Sequence, residues 1–596
     1  MRSGRLWLFI VLHLILGTGG APRATAQTTE VPAHWYGKWG LTAGYGNRKI
    51  LEDEEKAVLD TLNHFRGEAT LQLGYMSPKF SFSTHVKGQM LEKDTDFYHA
   101  AIKNEEKMEF KSRQTALRQP SGSWRTDFQW KPSDRNQFST FLLYQIERDK
   151  SLGATFDMKF DIDGEDVDRM GFSTEERRYM KQTLQGGWRS THLFPERHLS
   201  LITQLDGTTR FNRRHSLWEQ SEISWDKTYL LTPRSDVHEG KALALLRNDH
   251  FCGVPTLLFE TALQARSAYT EDRNGGKTQI APEVWRDSLS IQERFDHLAI
   301  WLEPGVNVDY RIGTWHFRVE ATLQWYGEQL TDERHFRDLV WDCPNPVGRI
   351  LTEWAPSKMH RVTASVSHSV KQPPYVQRCW FERQGANADQ LFRGNPDLAP
   401  SRSQEVSLIY NFRQERFSAS SQSRLTYRTN EVERTFTNET IDGRKYKVFT
   451  WLNTAYGKTF SQVVTAGWSG NIFSANARLS YSQKLQQSAM RDREVRTHHW
   501  EFSADASCRP GKGWSLSARG AYVGDVQTLY SLLEGYCSLS ARVEKAFKKV
   551  TVFIEGRDLL DQPVEKEFTS ADLSERWSET EYLNRRVFLT GFTWSF

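Results

Sequence analysis

Apolar and polar residues alternate one by one through much of this chain, most clearly in its last third. Residues 499–508, HWEFSADASC, place aromatic or small apolar side chains at even positions and His, Glu, Ser or Asp at odd positions. Residues 514–522 repeat the pattern after the turn RPGKG, and residues 587–596, VFLTGFTWSF, end the chain on it. Successive side chains of a strand point to opposite faces. The pattern therefore predicts β-strands with one apolar face and one polar face.

Two architectures give such strands, an antiparallel sheet packed over a soluble core and a transmembrane β-barrel. The positions of the bulky residues separate them, because a membrane barrel carries aromatic girdles near its strand ends. Trp315, Trp325, Trp500, Trp514 and Tyr522 stand near the ends of alternating segments. The polar face of residues 314–326 carries His, Arg, Glu and Gln, which require water. Both features favour the membrane barrel.

The spacing of turn residues predicts the number of strands. Short stretches rich in Pro, Gly, Ser and charged residues mark turns, and between them lie a strand, a longer polar stretch and another strand. Ten such turns predict 22 strands, with short periplasmic turns on one side and long extracellular loops on the other; they lie near 77–79, 132–135, 194–197, 253–255, 312–314, 355–358, 413–415, 469–471, 509–513 and 547–549. Residues 216–225 fit a strand or a loop. A propeller or solenoid remains a weaker alternative, since no fixed repeat is visible.

Composition and the N-terminal segment indicate the cellular location. The chain has 596 residues, 38% of them hydrophobic, with 21 Trp and 20 Tyr. Residues 1–26 resemble a secretory signal, with Arg2 and Arg5, an apolar run and a small-residue site ending at Ala26. An uncleaved anchor is the alternative, but the run is short for a membrane helix. Residues 27–596 contain no further run of that length, so we expect one outer-membrane β-barrel domain there.

One segment carries a family resemblance. Residues 361–412 contain a Pro-aromatic stretch followed by Gly-Asn-Pro-Asp-Leu-Ala-Pro at Gly394–Pro400. The segment resembles the barrel of TonB-dependent receptors, within the outer-membrane β-barrel family, as do residues 295–322 and 550–563. Turn chemistry also accounts for the motif, because Asn-Pro favours a turn, Gly394 permits a positive φ, and Pro400 suits a strand start.

The resemblance implies an outer-membrane transport protein. It implies lipid bilayer and lipopolysaccharide as surroundings, and a C-terminal strand ending in Phe596 that the outer-membrane insertion machinery reads. Family members carry an N-terminal plug domain, whereas only residues 27 to about 35 precede the first expected strand here. We therefore expect a barrel without its own plug, whose lumen is filled by inward-folded loops, a plug protein or a surface lipoprotein partner. A surface scaffold or adhesin anchored by a closed barrel is the alternative function.

The sequence offers little catalytic or metal chemistry. No nucleophile motif, His-Glu-x-x-His or phosphate loop is present, so we predict no enzyme, no cofactor and no catalytic or metal site. The acidic segment 156–170 does not have EF-hand spacing, which leaves a solvated loop or a weak calcium site. Cys343 and Cys379 fall on adjacent outer loops, where a disulfide is one possibility, while Cys508 and Cys537 are expected to remain unpaired. A net charge of +4 gives no case for nucleic acid.

Overall fold

A computed structural model describes most of residues 33–595. Its description leaves out residues 1–32, 50–60, 104–106, 162–166, 223–224, 233, 275, 282–283, 288–292, 333–335, 343, 379–381, 385–389, 442–443, 454–455, 488–493, 528–530, 561, 563, 570–574, 584–585 and 596. The predicted signal, most of the acidic stretch that joins two strands, Cys343, Cys379 and Phe596 therefore lie outside the described residues. In the described part, no helix is long and apolar enough to cross a membrane.

The predicted barrel of 22 antiparallel strands is confirmed. Its strands are β1 (His34–Lys49), β2 (Thr61–Met76), β3 (Phe80–Lys103), β4 (Lys107–Ser133), β5 (Asn136–Asp161), β6 (Val167–Phe194), β7 (Leu199–Glu222), β8 (Arg234–Asn248), β9 (Leu257–Asn274), β10 (Glu293–Ile312), β11 (Trp315–Asp332), β12 (Asn345–Trp354), β13 (His360–Lys371), β14 (Ser401–Arg413), β15 (Phe417–Thr429), β16 (Tyr456–Ser469), β17 (Phe473–Gln487), β18 (Glu494–Gly511), β19 (Trp514–Val523), β20 (Tyr536–Ala546), β21 (Val550–Arg557) and β22 (Val587–Ser595).

Each strand pairs with the next, and β22 pairs with β1 to close the ring. The closing ladder joins Lys38 to Ser595 and Trp39 to Trp594, so the ring has no free edge. Closure satisfies the backbone N–H and C=O groups between strands, which hydrocarbon cannot do. The ring also places all ten predicted short turns on one side. The turn between β10 and β11, for example, consists of Gly313 and Thr314, with Gly313 at a positive φ of 56°.

The strand periodicity separates an outer from an inner face. On β22, Phe588 is 55% exposed, while the neighbouring Leu589 is only 1% exposed. Leu589 packs with Val587 and Phe553 on the inner side. On β18, Trp500 and Phe502 project outwards, as the alternation predicts. The outer face is apolar because lipid covers it, and the inner face carries the charged and hydroxyl side chains.

The extracellular side holds additional strands of two kinds. Some extend the barrel wall upwards. Trp225–Leu231 pairs with β7 and also with Gly276–Ala281, and Glu575–Leu583 pairs with β3. Others form a separate four-stranded sheet, which we call the inner sheet. It consists of Glu382–Gln384, Gln390–Arg393, Val432–Ile441 and Arg444–Asn453.

Several local expectations have clear outcomes. The ambiguous residues 216–225 end β7 at Glu222 and resume as strand at Trp225. The acidic segment is shorter as a loop than expected, because Asp161 and Asp168 lie in β5 and β6. Cys508 and Cys537 are free, as predicted, and exposed Cys252 is free as well.

Candidate functional site

The site is the inner wall of the barrel where extracellular segments dock against it. β10 and β11 present alternate residues to the lumen, because Leu302 and Leu323 occupy the opposite, exposed face. His297 on β10 and Glu328 on β11 belong to the inward set. Each is less than 10% exposed although it faces a lumen, so another segment must cover them.

The covering segment is the connection between β13 and β14. Pro373 and Pro374 lead into a single helical turn, Tyr375–Arg378, which directs Arg378 at the wall. Arg378 Nη2 donates to Glu328 Oε1 at 2.5 Å and to the Tyr326 hydroxyl at 3.1 Å. His297 Nε2 lies 2.8 Å from the same carboxylate oxygen. We call these four residues the Arg378 cluster.

The Arg378 cluster is a buried charge arrangement. Its side chains are only 8–11% exposed for Arg378, Glu328 and His297. A buried carboxylate is tolerated only when it is paired and hydrogen-bonded, and breaking such a pair leaves an uncompensated charge. The cluster therefore fixes the loop segment on the wall of the barrel.

A second polar group lies deeper on the same wall. Glu303 of β10 accepts hydrogen bonds from Gln264 and Arg266 of β9, and from Gln324 of β11 at 2.7 Å. The Arg266 guanidinium also lies 5.3 Å from the Trp301 ring centroid. Every named partner of Glu303 comes from the barrel wall, so this group organises the lumen surface without needing a loop.

The Gly394–Pro400 motif leads from the inner sheet into β14, which begins at Ser401 as predicted for a strand entry. The Asp397 backbone N–H donates to Asn395 Oδ1 at 3.0 Å, which confirms a turn built by Asn395 and Pro396. Gly394 does not use the positive φ that glycine permits, because the positive-φ glycines among the described residues are Gly253, Gly313, Gly511 and Gly513, all in short turns. Gly394 is instead buried, and its burial explains why a residue without a side chain stands at this position.

The motif also joins the inner sheet, which the sequence did not reveal. Asn395 Nδ2 donates to the Trp451 carbonyl at 2.8 Å. Asn453 Oδ1 accepts from the Ala399 N–H at 2.8 Å, and Asn453 Nδ2 donates to the Ala399 carbonyl at 3.1 Å. Leu398 is 5% exposed. The motif is therefore a junction between the wall and the inner sheet.

The inner sheet meets the wall at β17 through Glu433. Gln486 of β17, an inward-facing residue only 6% exposed, donates to Glu433 Oε1. Lys484 and Arg428 lie near Glu431, at 3.7 Å and 3.4 Å. Burial, reinforced by the nearby Glu431 carboxylate, raises the pKa of Glu433 to about 7, against the opposing effects of Lys484 and Gln486.

Sequence reasoning did not identify the residues of this site. Arg378 and Glu328 are 50 positions apart, and His297 and Glu328 are 31 apart. The inward phase of His297 and Glu328 was readable from the alternation, but the position of the connecting loop was not. Among the described residues, no group of three His, Cys, Asp or Glu side chains is arranged to hold a metal.

Comparison with known proteins agrees with this architecture. Residues 317–594 match the outer membrane protein beta-barrel family. No curated protein matches the chain.

Solved structures share the fold at low sequence identity. The copper transporter OprC is 10% identical with a TM-score of 0.61, and the match covers 94% of this chain and 80% of that one. The ferric citrate transporter FecA in its unliganded form is 11% identical with a TM-score of 0.61, covering 94% and 78%. The ferripyoverdine receptor of the outer membrane of Pseudomonas aeruginosa is 11% identical with a TM-score of 0.58, covering 94% and 72%. Residues 317–594 therefore match the outer membrane protein beta-barrel family, and the whole chain folds as a 22-strand barrel of the cell outer membrane like that of TonB-dependent receptors.

Proposed function

We propose that this protein is a passage or uptake channel of the outer membrane whose extracellular mouth is closed by its own loop segments. The observation that carries the proposal is the docking of the Arg378 segment and the inner sheet on inward-facing residues of two separate parts of the wall, β11 and β17. A polar inner face supports aqueous passage. The structural neighbours, which include a copper transporter and a ferric citrate transporter, support the same class.

The proposed mature protein is residues 27–596, after removal of the signal 1–26. A barrel of 22 strands encloses a wide lumen, so we propose that a separate plug or surface lipoprotein partner completes the seal or captures the ligand. Insertion would use the C-terminal strand β22.

We propose no enzymatic role, since the inward polar residues that the structure describes form ion pairs and hydrogen-bond ladders rather than a nucleophile with its base.

Planar-bilayer conductance tests the proposal. Replacing residues 432–453 by a short Gly-Ser linker removes the hairpin that carries Glu433, and we expect the single-channel conductance to rise. The control replaces residues 276–287, a hairpin that extends the wall upwards against Trp225–Leu231 and does not belong to the inner sheet. Its conductance should equal that of the intact protein. Equal conductance in all three proteins would reject a channel closed by this sheet.

A surface scaffold or adhesin is the second candidate. The buried Arg378 cluster favours it, because several charge-assisted hydrogen bonds fix the loop segment in one position. Under this function the hairpin deletion abolishes attachment to a partner surface and leaves the barrel without conductance. The same two deletion variants therefore separate the two functions.

A further inference from the structure

A row of basic residues crosses the lipid-facing side of β4 to β7, which the channel proposal does not use. We call Arg118, Arg148, Lys150, Arg178 and Arg213 the outer basic row. The strand registers bring them together: Lys150 pairs with Arg118 and with Arg178, and Met180 pairs with both Arg148 and Arg213. Neighbouring strands are about 4.8 Å apart, so five positive side chains share a narrow patch.

The row points away from the lumen. Arg148 and Lys150 have the same strand phase as Leu142 and Tyr144, which are exposed on the apolar face of β5. Arg178 shares the phase of Leu184 and Trp188 on β6. All five members of the row are exposed.

The row also lies at a defined height. Phe138 stands near the short turn that precedes β5, and Arg148 follows it on the same face. Ten residues at about 3.3 Å each, on a strand tilted by about 40°, rise about 25 Å, which is the height of the apolar band of a membrane barrel. The extracellular loops are on this side, so the row lies at the headgroups of the outer leaflet.

Acidic residues neutralise the row only in part. Glu176 lies 2.9 Å from Arg178 and 3.2 Å from Lys150, and Glu92 lies 3.6 Å from Arg118. Arg148 and Arg213 make no ion pair with the residues that the structure describes. On the far wall, exposed outward basic residues stand on every second strand, at Arg402, Lys458 and Arg496. Arg234, Arg273 and Arg294 continue the row from Arg213 across β8 to β10, but each lies against a carboxylate, of Asp236, Glu271 and Asp296 respectively. The positive charge without a carboxylate partner among the described residues therefore lies on β5 and β7, at Arg148 and Arg213.

An apolar groove lies beneath the row on an overlapping part of the outer face. Gly186, Gly207 and Gly240 are direct partners on three successive strands and form its floor. Leu142, Leu184 and Leu298 line it together with Thr209, His238 and Tyr269, and its volume is about 500 Å³. From Leu142 to Lys150 the wall rises about 20 Å, a length that suits a fatty acyl chain lying on the glycines.

We propose that the outer basic row binds the phosphate groups of lipopolysaccharide, with one acyl chain of its lipid A seated in the glycine-floored groove. Guanidinium groups suit phosphate oxygens because they offer paired N–H donors and a permanent charge. The occupant must be an amphiphile with phosphate at the headgroup level of the extracellular leaflet, and lipid A has that chemistry. The proposal does not depend on whether the barrel conducts.

The test compares two triple variants of the full-length protein, purified in neutral detergent. The first carries Arg148→Gln, Arg178→Gln and Arg213→Gln, and the control carries Arg402→Gln, Lys458→Gln and Arg496→Gln on the far wall. Lipid A, lipid A lacking one phosphate, and phosphatidylglycerol serve as probes, with dissociation constants measured by thermophoresis. Circular dichroism verifies that each variant retains its strand content.

We expect the first variant to bind lipid A about a hundredfold more weakly, given the usual contribution of each basic residue near an anionic lipid surface. The control should bind as the intact protein does, and removal of one phosphate should weaken binding to the intact protein. Equal losses in both variants would overturn the proposal, because charge position would then not matter. Phosphatidylglycerol binding as tightly as lipid A would overturn the assignment to lipopolysaccharide.

Discussion

At the scale of single residues, Glu433 is the group whose charge depends on docking. Its carboxyl lies against Gln486 on β17, with Lys484 and Glu431 as the nearest charged groups. Burial raises its pKa from the ordinary 4.5 to about 7. A raised pKa means that the docked hairpin favours the protonated form. Docking is therefore strongest below the ordinary pKa and weakens as the pH rises towards 7.

We expect this residue to make closure pH-dependent. Between about pH 5 and pH 8, amide hydrogen exchange of Val432–Ile441, corrected for its intrinsic pH dependence, should increase as docking weakens. Glu433→Gln removes the ionisation and should flatten the dependence. Glu439→Gln, on the same hairpin but paired with Arg393, should retain it. A pH profile that persists in Glu433→Gln would assign the effect to another group.

The Arg378 cluster gives a second residue-scale prediction. Arg378→Gln leaves the buried Glu328 carboxylate with His297 and the Tyr326 hydroxyl but with no permanent cation beside it. Loss of one partner of a buried pair costs about 3–5 kcal/mol, so we expect the loop to leave the wall and conductance to rise. Arg349→Gln, an inward-facing barrel arginine bound to Ser365 Oγ, is the control. A closed Arg378→Gln channel would show that the cluster does not hold the loop.

At the scale of elements, the Gly394–Pro400 motif and the hairpin 432–453 form one unit. Turn chemistry predicted the strand that follows the motif, because it depends only on neighbouring residues. It did not predict the hairpin contact, since Asn453 meets Ala399 across 54 positions of chain. A polar Asn in a loop gives no local signal of the backbone groups it will satisfy.

Asn453→Ala should loosen this unit. The side chain satisfies the Ala399 N–H, the Ala399 carbonyl and the Asn430 carbonyl. Leaving partly buried backbone groups unsatisfied costs about 1–3 kcal/mol each. We expect faster proteolysis within residues 430–455, measured by mass spectrometry of limited digests. Thr440→Ala at an exposed position of the hairpin should digest at the rate of the intact protein, and identical rates for Asn453→Ala would contradict the role.

At the scale of the whole molecule, the stability of the barrel in the membrane depends on an apolar outer face and a polar inner face. β16 offers a matched comparison, because Val463 and Val464 are identical neighbours of opposite phase. Val464 lies midway along the strand with 42% exposure on the lipid side, and Val463 faces the lumen with Gln422 and Ser480 as cross-strand partners.

Val464→Arg should lower the free energy of unfolding by about 2–4 kcal/mol, the usual cost of arginine at the middle of a membrane. Val463→Arg places the same side chain among inward polar groups and should cost far less. Denaturant unfolding of each variant in liposomes, followed by tryptophan fluorescence, measures the difference. Equal costs on both faces would contradict a lipid-covered exterior.

The sequence by itself determined the strands, their faces, the ten turns, the count of 22 and the strand entry at Pro400, because each follows from the two-residue period or from local turn chemistry. Only the tertiary structure decided where the connection between β13 and β14 and the inner sheet lie, and which inward residues they cover. The same reason applies to the outer basic row, whose members come from four strands. Ring closure and strand register set these distances, and no local pattern encodes them.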